Sequence, residues 1–161
     1  VPPRIVDQPG RGSLARLIGL HAEWYGRNWG FGLPFEAKVA AELGDFAGSL
    51  PRADSRLFLA LAEDGAVLGG IALDGRAGRS ARIRWFILAE AARGGLGRRL
   101  LGAALGFAAT RDFETVWLTT FAGLDAARRL YECAGFRLVD EAPEMGWGVP
   151  VVGQRFEWRK P

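Results

Sequence analysis

The segment from Ser80 to Thr120 constrains this chain more than any other. It reads as a strand (Ser80–Leu88), a glycine-rich turn, a helix to about Arg111 and a short β-branched strand (Thr115–Thr120). Two strands of one sheet joined by a helical crossover run parallel, because the connection is long enough to carry the chain back to the starting edge. Leu96, Leu100, Ala104 and Phe107 recur at helical spacing, which gives that helix an apolar stripe to lay on the sheet.

The flanking segments surround this unit with antiparallel pairing. Arg56–Glu63 and Ala66–Asp74 are apolar stretches separated by Asp64-Gly65, a two-residue hairpin signal, and Gly75–Arg79 makes the next turn. Together with Ser80–Leu88 they predict a three-stranded meander. Upstream, Arg4–Asp7 is a short strand ended by Pro-Gly-Arg-Gly. Ser13 then caps a helix to about Tyr25, with Leu14, Leu17, Ile18 and His21 on one face. Asn28–Pro34 reads as a loop and Phe35 to about Phe46 as a second helix. Downstream, Asp125–Ala134 is a helix stopped by Gly135, a residue suited to the left-handed conformation past a helix end. Phe136–Glu141 and Val151–Trp158 complete the chain as strands. The predicted fold is one α+β domain over residues 1–161, with a mixed, mostly antiparallel sheet and a central parallel pair.

Composition excludes some functions. A chain of 161 residues can bury a core without disulfides, and no metal site is expected. No apolar run is long enough to cross a bilayer, and the Val-Pro-Pro-Arg start lacks the apolar stretch of a signal peptide. The lone Cys133 cannot form an internal disulfide, which points to a reducing compartment and so to the cytoplasm. The net charge of +3 is carried by arginines scattered from Arg4 to Arg159; the only lysines are Lys38 and Lys160. A nucleic-acid groove wants clustered cations interleaved with aromatics, so no nucleic-acid partner is expected.

Arg93, Arg98 and Arg99 do form a local group, around Gly94, Gly95 and Gly97. Glycines let a turn bring its N–H groups to a ligand, the helix N-terminus adds free donors and a favourable dipole, and arginines grip phosphate oxygens. That chemistry suits a pyrophosphate, although a glycine-rich connection that only packs helix on strand has the same composition. A Walker loop would end in Lys-Ser/Thr where Arg98-Arg99 stands. A dinucleotide fingerprint would put glycine at Leu100 and an acid after Thr119-Thr120-Phe121.

The turn, its strand and the later Leu130-Tyr131-Glu132-Cys133-Ala134-Gly135-Phe136 resemble the GNAT superfamily of N-acetyltransferases. The superfamily turn is Arg/Gln-x-x-Gly-x-Gly/Ala, and its second signature ends in Leu-Tyr-x-x-x-Gly-Phe, intact here. More narrowly, His21…Tyr25…Trp29-Gly30-Phe31, Arg84-Trp85-Phe86 and Phe121–Arg128 are similar to GNAT domains fused behind MarR-type transcriptional regulators. Two departures stand out. One residue, not two, separates Arg93 from Gly95, and Leu124 sits where many members carry asparagine.

The resemblance implies that the two parallel strands splay to admit the pantetheine arm of acetyl-CoA along Phe86, Ile87 and Leu88. Arg93, Gly94, Gly95, Leu96, Gly97 and Arg98 would hold the pyrophosphate, and Tyr131 would protonate the departing thiolate. Cys133 lies two residues on, off that helix face, and is expected as a buried core thiol. His21, Glu23 and Glu36 are candidates for removing the proton of the amine, with none singled out. The acceptor site is expected between the first two helices and the Glu144–Val151 connection. Trp24, Tyr25, Trp29, Phe31 and Glu36 are its candidate residues, and Phe35 and Trp147 add to the aromatic load, which core packing would equally explain. The expected activity is acetyl transfer to a primary amine of a small molecule or peptide. The alternative is a non-catalytic acyl-CoA-binding regulatory module, and the final strands offer a surface for a homodimer.

Overall fold

The computed structural model describes residues 1–92 and 94–161. Its elements are β1 (Arg4–Val6), α1 (Ser13–Trp29), α2 (Leu33–Gly48), β2 (Arg56–Leu61), β3 (Val67–Asp74), β4 (Ser80–Leu88), α3 (Leu96–Ala109), β5 (Thr115–Phe121), α4 (Asp125–Cys133), β6 (Arg137–Gly146) and β7 (Val149–Trp158). The sheet order is β1-β2-β3-β4-β5-β7-β6, antiparallel throughout except for the central β4–β5 pair. The expected α+β architecture, its element order and its one parallel pair are all present.

Several boundaries move for local reasons. Ser13 does not cap α1. Gly12 does, in the left-handed region (φ 84°), while the buried Ser13 accepts a hydrogen bond from the Gly10 N–H at 3.1 Å. The helix runs four residues beyond Tyr25, to Trp29, because Gly30 (φ 73°) first offers a stop. The β2–β3 loop holds three residues rather than two: the Ala62 N–H bonds the Ala66 carbonyl, and Gly65 (φ 87°) closes the turn inside that pair. The Glu144–Val151 connection is strand rather than loop. Here β6 and β7 form a long hairpin turning on Trp147 (φ 54°) and Gly148 (φ 82°), the two left-handed residues of a tight turn.

Two apolar clusters sandwich the sheet. On one face Leu96, Leu100, Leu101, Ala104 and Ala108 of α3, with Tyr131 of α4, bury Ile71, Ile83, Val116, Leu118 and Phe156. On the other, Leu17 and Leu20 of α1 and Val39, Leu43 and Phe46 of α2 bury Leu57, Leu59, Ala72 and Ile87. Cys133, expected in the core, is exposed. It belongs to the last turn of α4, where only Tyr131 of the whole helix is buried.

Candidate active site

The parallel pair is closed at one end only. Ser80, Ala81 and Arg82 pair with Thr115, Val116 and Trp117, and beyond them β4 and β5 have no register. The cause lies on the β3 side of β4. Gly70 opposes Ile87 and Ala72 opposes Arg84, so Trp85 and Phe86 together face Ile71 in a bulge. Trp85 takes φ 50°, a costly value for a bulky residue, and its ring is held against Phe46 at 5.6 Å with the Arg84 guanidinium 4.1 Å above it. The bulge turns the rest of β4 away from β5. Gly69 lets the strands close up behind it, since a Cβ there would stand 2.6 Å from the Ile87 carbonyl oxygen.

The gap opens into a cleft of about 1140 Å³ that reaches both faces of the sheet. From the α1 side it is lined by His21, Trp24, Tyr25 and Trp29, and from the α4 side by Leu130 and Tyr131. Phe86, Ile87 and Leu88 form the β4 wall, and Thr119, Thr120 and Phe121 form the β5 wall. Residues from opposite faces meet here only because the strands part.

Tyr131 is set into this wall by rings. Phe86, Phe136 and Phe156 stand 6.2, 5.8 and 6.0 Å from it, and the Phe136 N–H bonds the Tyr131 carbonyl as the helix ends. Burial pushes its phenol well above the usual tyrosine range, with the nearby Tyr25 adding to the shift. Tyr25 is itself pushed up to about 12 by burial, against Phe31 at 5.8 Å. Both phenols are therefore neutral donors at any working pH.

His21 is buried, and its Nδ1 lies 2.7 Å from the Leu17 carbonyl. A carbonyl can only accept, so Nδ1 carries the hydrogen and Nε2 is left as an acceptor on a cleft-lining ring. Burial lowers its pKa, and the Leu17 bond opposes that shift only in part. The ring is neutral at pH 7.

At the outer end of the gap, Gly94 (φ 77°) and Gly95 (φ 72°) turn the chain into α3 through two left-handed residues. Gly97 is buried, and a Cβ there would stand 3.0 Å from Leu130 and 3.2 Å from Leu88. Leu96 is buried beneath the turn, while Arg98 is exposed beside it. Arg93 lies outside the described residues. The edge of β4 that has no β5 register and the N-terminus of α3 stand at two places along the gap. A strand edge suits amide groups and a helix N-terminus suits phosphates.

Of the acceptor-site residues expected from sequence, Trp24, Tyr25 and Trp29 line the cleft. Phe31 is buried behind them, stacked on Tyr25, and Glu36 is not among the lining residues. Neither is Glu23, which is exposed on α1. Arg82, Glu42, Thr119, Asp140 and Arg155 line the cleft without having been singled out from sequence. The alternation Arg82, Arg84 along β4 was the available signal, since a period of two puts both on the face opposite Ala81 and Ile83. Among the described residues, no His, Cys, Asp and Glu cluster could hold a metal ion, and no helix is long and apolar enough to cross a membrane.

The family model described as "Acetyltransferase (GNAT) family" matches residues 18–136. Among solved structures, a GNAT-family acetyltransferase from Staphylococcus aureus Mu50 is similar at a TM-score of 0.80 and 14% identity, over 99% of both chains. A GNAT superfamily phosphinothricin acetyltransferase from Sinorhizobium meliloti, in complex with AcCoA, is similar at 0.76 and 18% identity, over 99% of this chain and 89% of that one. A spermidine N-acetyltransferase mutant from Vibrio cholerae is similar at 0.71 and 20% identity, over 98% of this chain and 95% of that one. No curated protein matches the sequence.

Proposed function

The chain belongs to the acetyltransferase (GNAT) family, and we propose that it transfers the acetyl group of acetyl-CoA to a primary amine of a small molecule or peptide, with both reactants bound together. The observation that carries this reading is the one-sided opening of the β4–β5 pair, with Tyr131 in its wall and the Gly94-Gly95 turn at its mouth.

Acetyl-CoA would supply the activated acyl group as a thioester. Phe86, Ile87 and Leu88 offer it a strand edge, on which pantetheine amides can bond as an added strand would. Gly94, Gly95, Leu96 and Gly97, at the N-terminus of α3, offer N–H groups to the pyrophosphate, and Arg93 and Arg98 add charge. Two bound reactants held in line can save up to ~7–11 kcal/mol of barrier, so few side chains need to act chemically.

Tyr131 acts at the sulfur. A phenol that burial holds neutral is a weaker acid than an ordinary thiol, for which cysteine's reference pKa of about 8.5 is a guide. Its part is to donate a hydrogen bond to the sulfur as the C–S bond breaks. His21 suits the opposite end of the reaction, because its Nε2 is free to accept the proton that the amine loses. Trp24, Tyr25 and Trp29 form the wall against which the acceptor lies, with Phe31 supporting them. Exposed Leu138, Val139, Met145 and Val152 on the β6–β7 hairpin suit contact with a second copy of the chain. The exposed, unpaired Cys133 suits a reducing compartment, and we place the protein in the cytoplasm.

Calorimetry with acetyl-CoA, followed by thiol release with a panel of amines, tests the reading. Binding and amine-dependent release are expected. Binding without release for any amine would instead identify an acyl-CoA-binding regulatory module, the role suggested by the likeness to regulator-fused domains. No binding at all would remove the reading.

A further inference from the structure

Among the described residues, three guanidiniums line the cleft, from Arg82, Arg84 and Arg155, and their partners differ. Arg84 is met by Glu42 at 2.8 Å and Asp74 at 3.4 Å. Arg155 is met by Glu157 at 3.1 Å. Arg82 has no carboxylate within ion-pair distance among the described residues. Its Nη2 donates to the neutral Thr119 Oγ1 at 3.1 Å, and its Nε is buried with no acceptor. Both Arg82 and Arg155 stand over the Trp117 ring, at 4.7 and 4.1 Å, so the side chain is held in place by stacking without its charge being neutralised. The carboxylates that reach it at longer range, Glu42 and Asp74, are already bonded to Arg84.

Arg82 as a whole is half-buried, and its guanidinium combines a charge with no ion-pair partner and a buried Nε with no acceptor, an arrangement that a ligand in the cleft would complete. The missing partner is an oxyanion, because a guanidinium pairs best with a planar or tetrahedral group that accepts from two N–H donors. Rotation of the guanidinium on its stem would also bring Nε into that bond.

The position of Arg82 says which reactant carries the oxyanion. It is the last β4 residue still paired to β5, at the closed vertex of the gap. Leu88 is six residues on, roughly 20 Å along an extended strand, and the Gly94-Gly95 turn lies beyond that. Phosphates bound at the turn are therefore out of reach of Arg82. The side chain also lies on the sheet face that carries Trp117 and Arg155, toward the aromatic wall of α1 rather than toward α3.

We propose that Arg82 receives an oxyanion on the acceptor, so that the preferred substrates are small amines that also carry a carboxylate or a phosphorus oxyanion, and not polyamines. This rests on the acetyl-transfer reading above. The amine end would lie toward Tyr131 and His21, and the acidic end at the vertex. Arg84 and Arg155 are already paired with carboxylates, so the charge that disfavours a chain of ammonium groups at the vertex is that of Arg82 itself.

The test compares matched probes on wild type and Arg82→Met, a substitution that keeps an unbranched apolar stem on Trp117. The probes are amino acids, their carboxamides, aminoalkylphosphonates and spermidine. Wild type is expected to favour acids over amides by about tenfold or more in kcat/KM, a difference of about 1.4 kcal/mol. Arg82→Met is expected to reduce that preference to less than about twofold, while calorimetry shows acetyl-CoA affinity unchanged. The carboxylate and phosphonate arms decide which oxyanion is preferred. Equal use of acids and amides, a preference for spermidine, or a preference for acids that survives in Arg82→Met overturns the proposal. If acetyl-CoA binds but nothing turns over, or if acetyl-CoA fails to bind, the acetyl-transfer reading fails by itself. Direct calorimetry of the acids and amides then decides the Arg82 site, and absence of acid binding overturns it.

Discussion

The two faces of the sheet are closed to different extents. On one face α3 covers the β1–β4 side and α4 continues over β5 and β7, where Trp158 Nε1 donates to the Ala134 carbonyl at 3.1 Å. On the other, α1 and α2 cover β2 to β4, and the strands beyond present Arg82, Thr119 and Arg155 to the cleft. Apolar residues with no exposed surface, such as Leu100, Ala104 and Phe156, fill the first face at the very strands where the second carries charge. The β4–β5 gap is where the two meet. Tyr131 is rooted in the closed face and Tyr25 in the open one, yet Tyr25 adds to the upward shift of the Tyr131 phenol. The closed face is thus mainly apolar packing and the open face mainly cleft wall, and the gap brings Tyr131 of the one to the cleft of the other.

The largest effect should separate the faces directly. Leu100→Ala removes a fully buried side chain from the closed face and should cost about 2–5 kcal/mol in denaturant unfolding. Thr119→Ala on the open face should cost less than about 0.5 kcal/mol. Similar costs at both positions would end the contrast. Next in size is Gly95→Glu. A side chain at φ 72° costs about 1–2 kcal/mol of stability, and its carboxylate would oppose bound phosphates. We expect acetyl-CoA affinity by calorimetry to fall more than about a hundredfold. Unchanged affinity would detach the turn from the cofactor.

Much of this division was legible in the sequence. The crossover from Ser80 to Thr120 required a parallel pair, and the apolar stripe Leu96, Leu100, Ala104 is the closed face itself. Periodicity worked there because burial is complete and the pattern has one cause. The open face was harder to read. Trp24, Tyr25 and Trp29 line the cleft while Phe31 is core, and an aromatic-rich segment has the same composition for either use. Arg82 was lost among scattered arginines, because its distinction is a missing partner, which depends on where Glu42, Asp74 and Glu157 point. Cys133 was placed in the core on residue type alone, and one turn of α4 puts it outside. The bulge at Trp85 that opens the gap is a pairing offset between β3 and β4, and no local pattern at Arg84-Trp85-Phe86 announces it.

The third effect tests whether the closed face contributes chemistry through the gap. Tyr131→Phe keeps the ring packed on Phe86, Phe136 and Phe156 and removes only the hydroxyl. A hydrogen bond to developing charge is worth about 1.5–3 kcal/mol, so kcat should fall on the order of tenfold to a hundredfold, with stability and acetyl-CoA affinity preserved. An unchanged kcat would confine Tyr131 to packing.

The smallest effect belongs to His21, the buried imidazole of the open face. Its pKa is lowered from 6.5 by burial, so below pH 6.5 the unfolded chain takes up a proton more readily than the folded one. Protonation therefore favours unfolding. The stability tied to the neutral ring is complete above pH 6.5 and is lost as pH falls through the lower, folded-state pKa. His21→Gln should flatten that part of the stability profile, measured by denaturant unfolding between pH 7 and pH 5. The Tyr25 phenol beside the ring titrates only near 12 and contributes nothing in this window. Activity should carry the same signature: an acid limb in kcat for wild type, and a lower rate without that limb in His21→Gln. A stability profile that flattens while the acid limb of kcat persists would make His21 a packing residue. The proton-accepting role would then have to pass to another group on the open face.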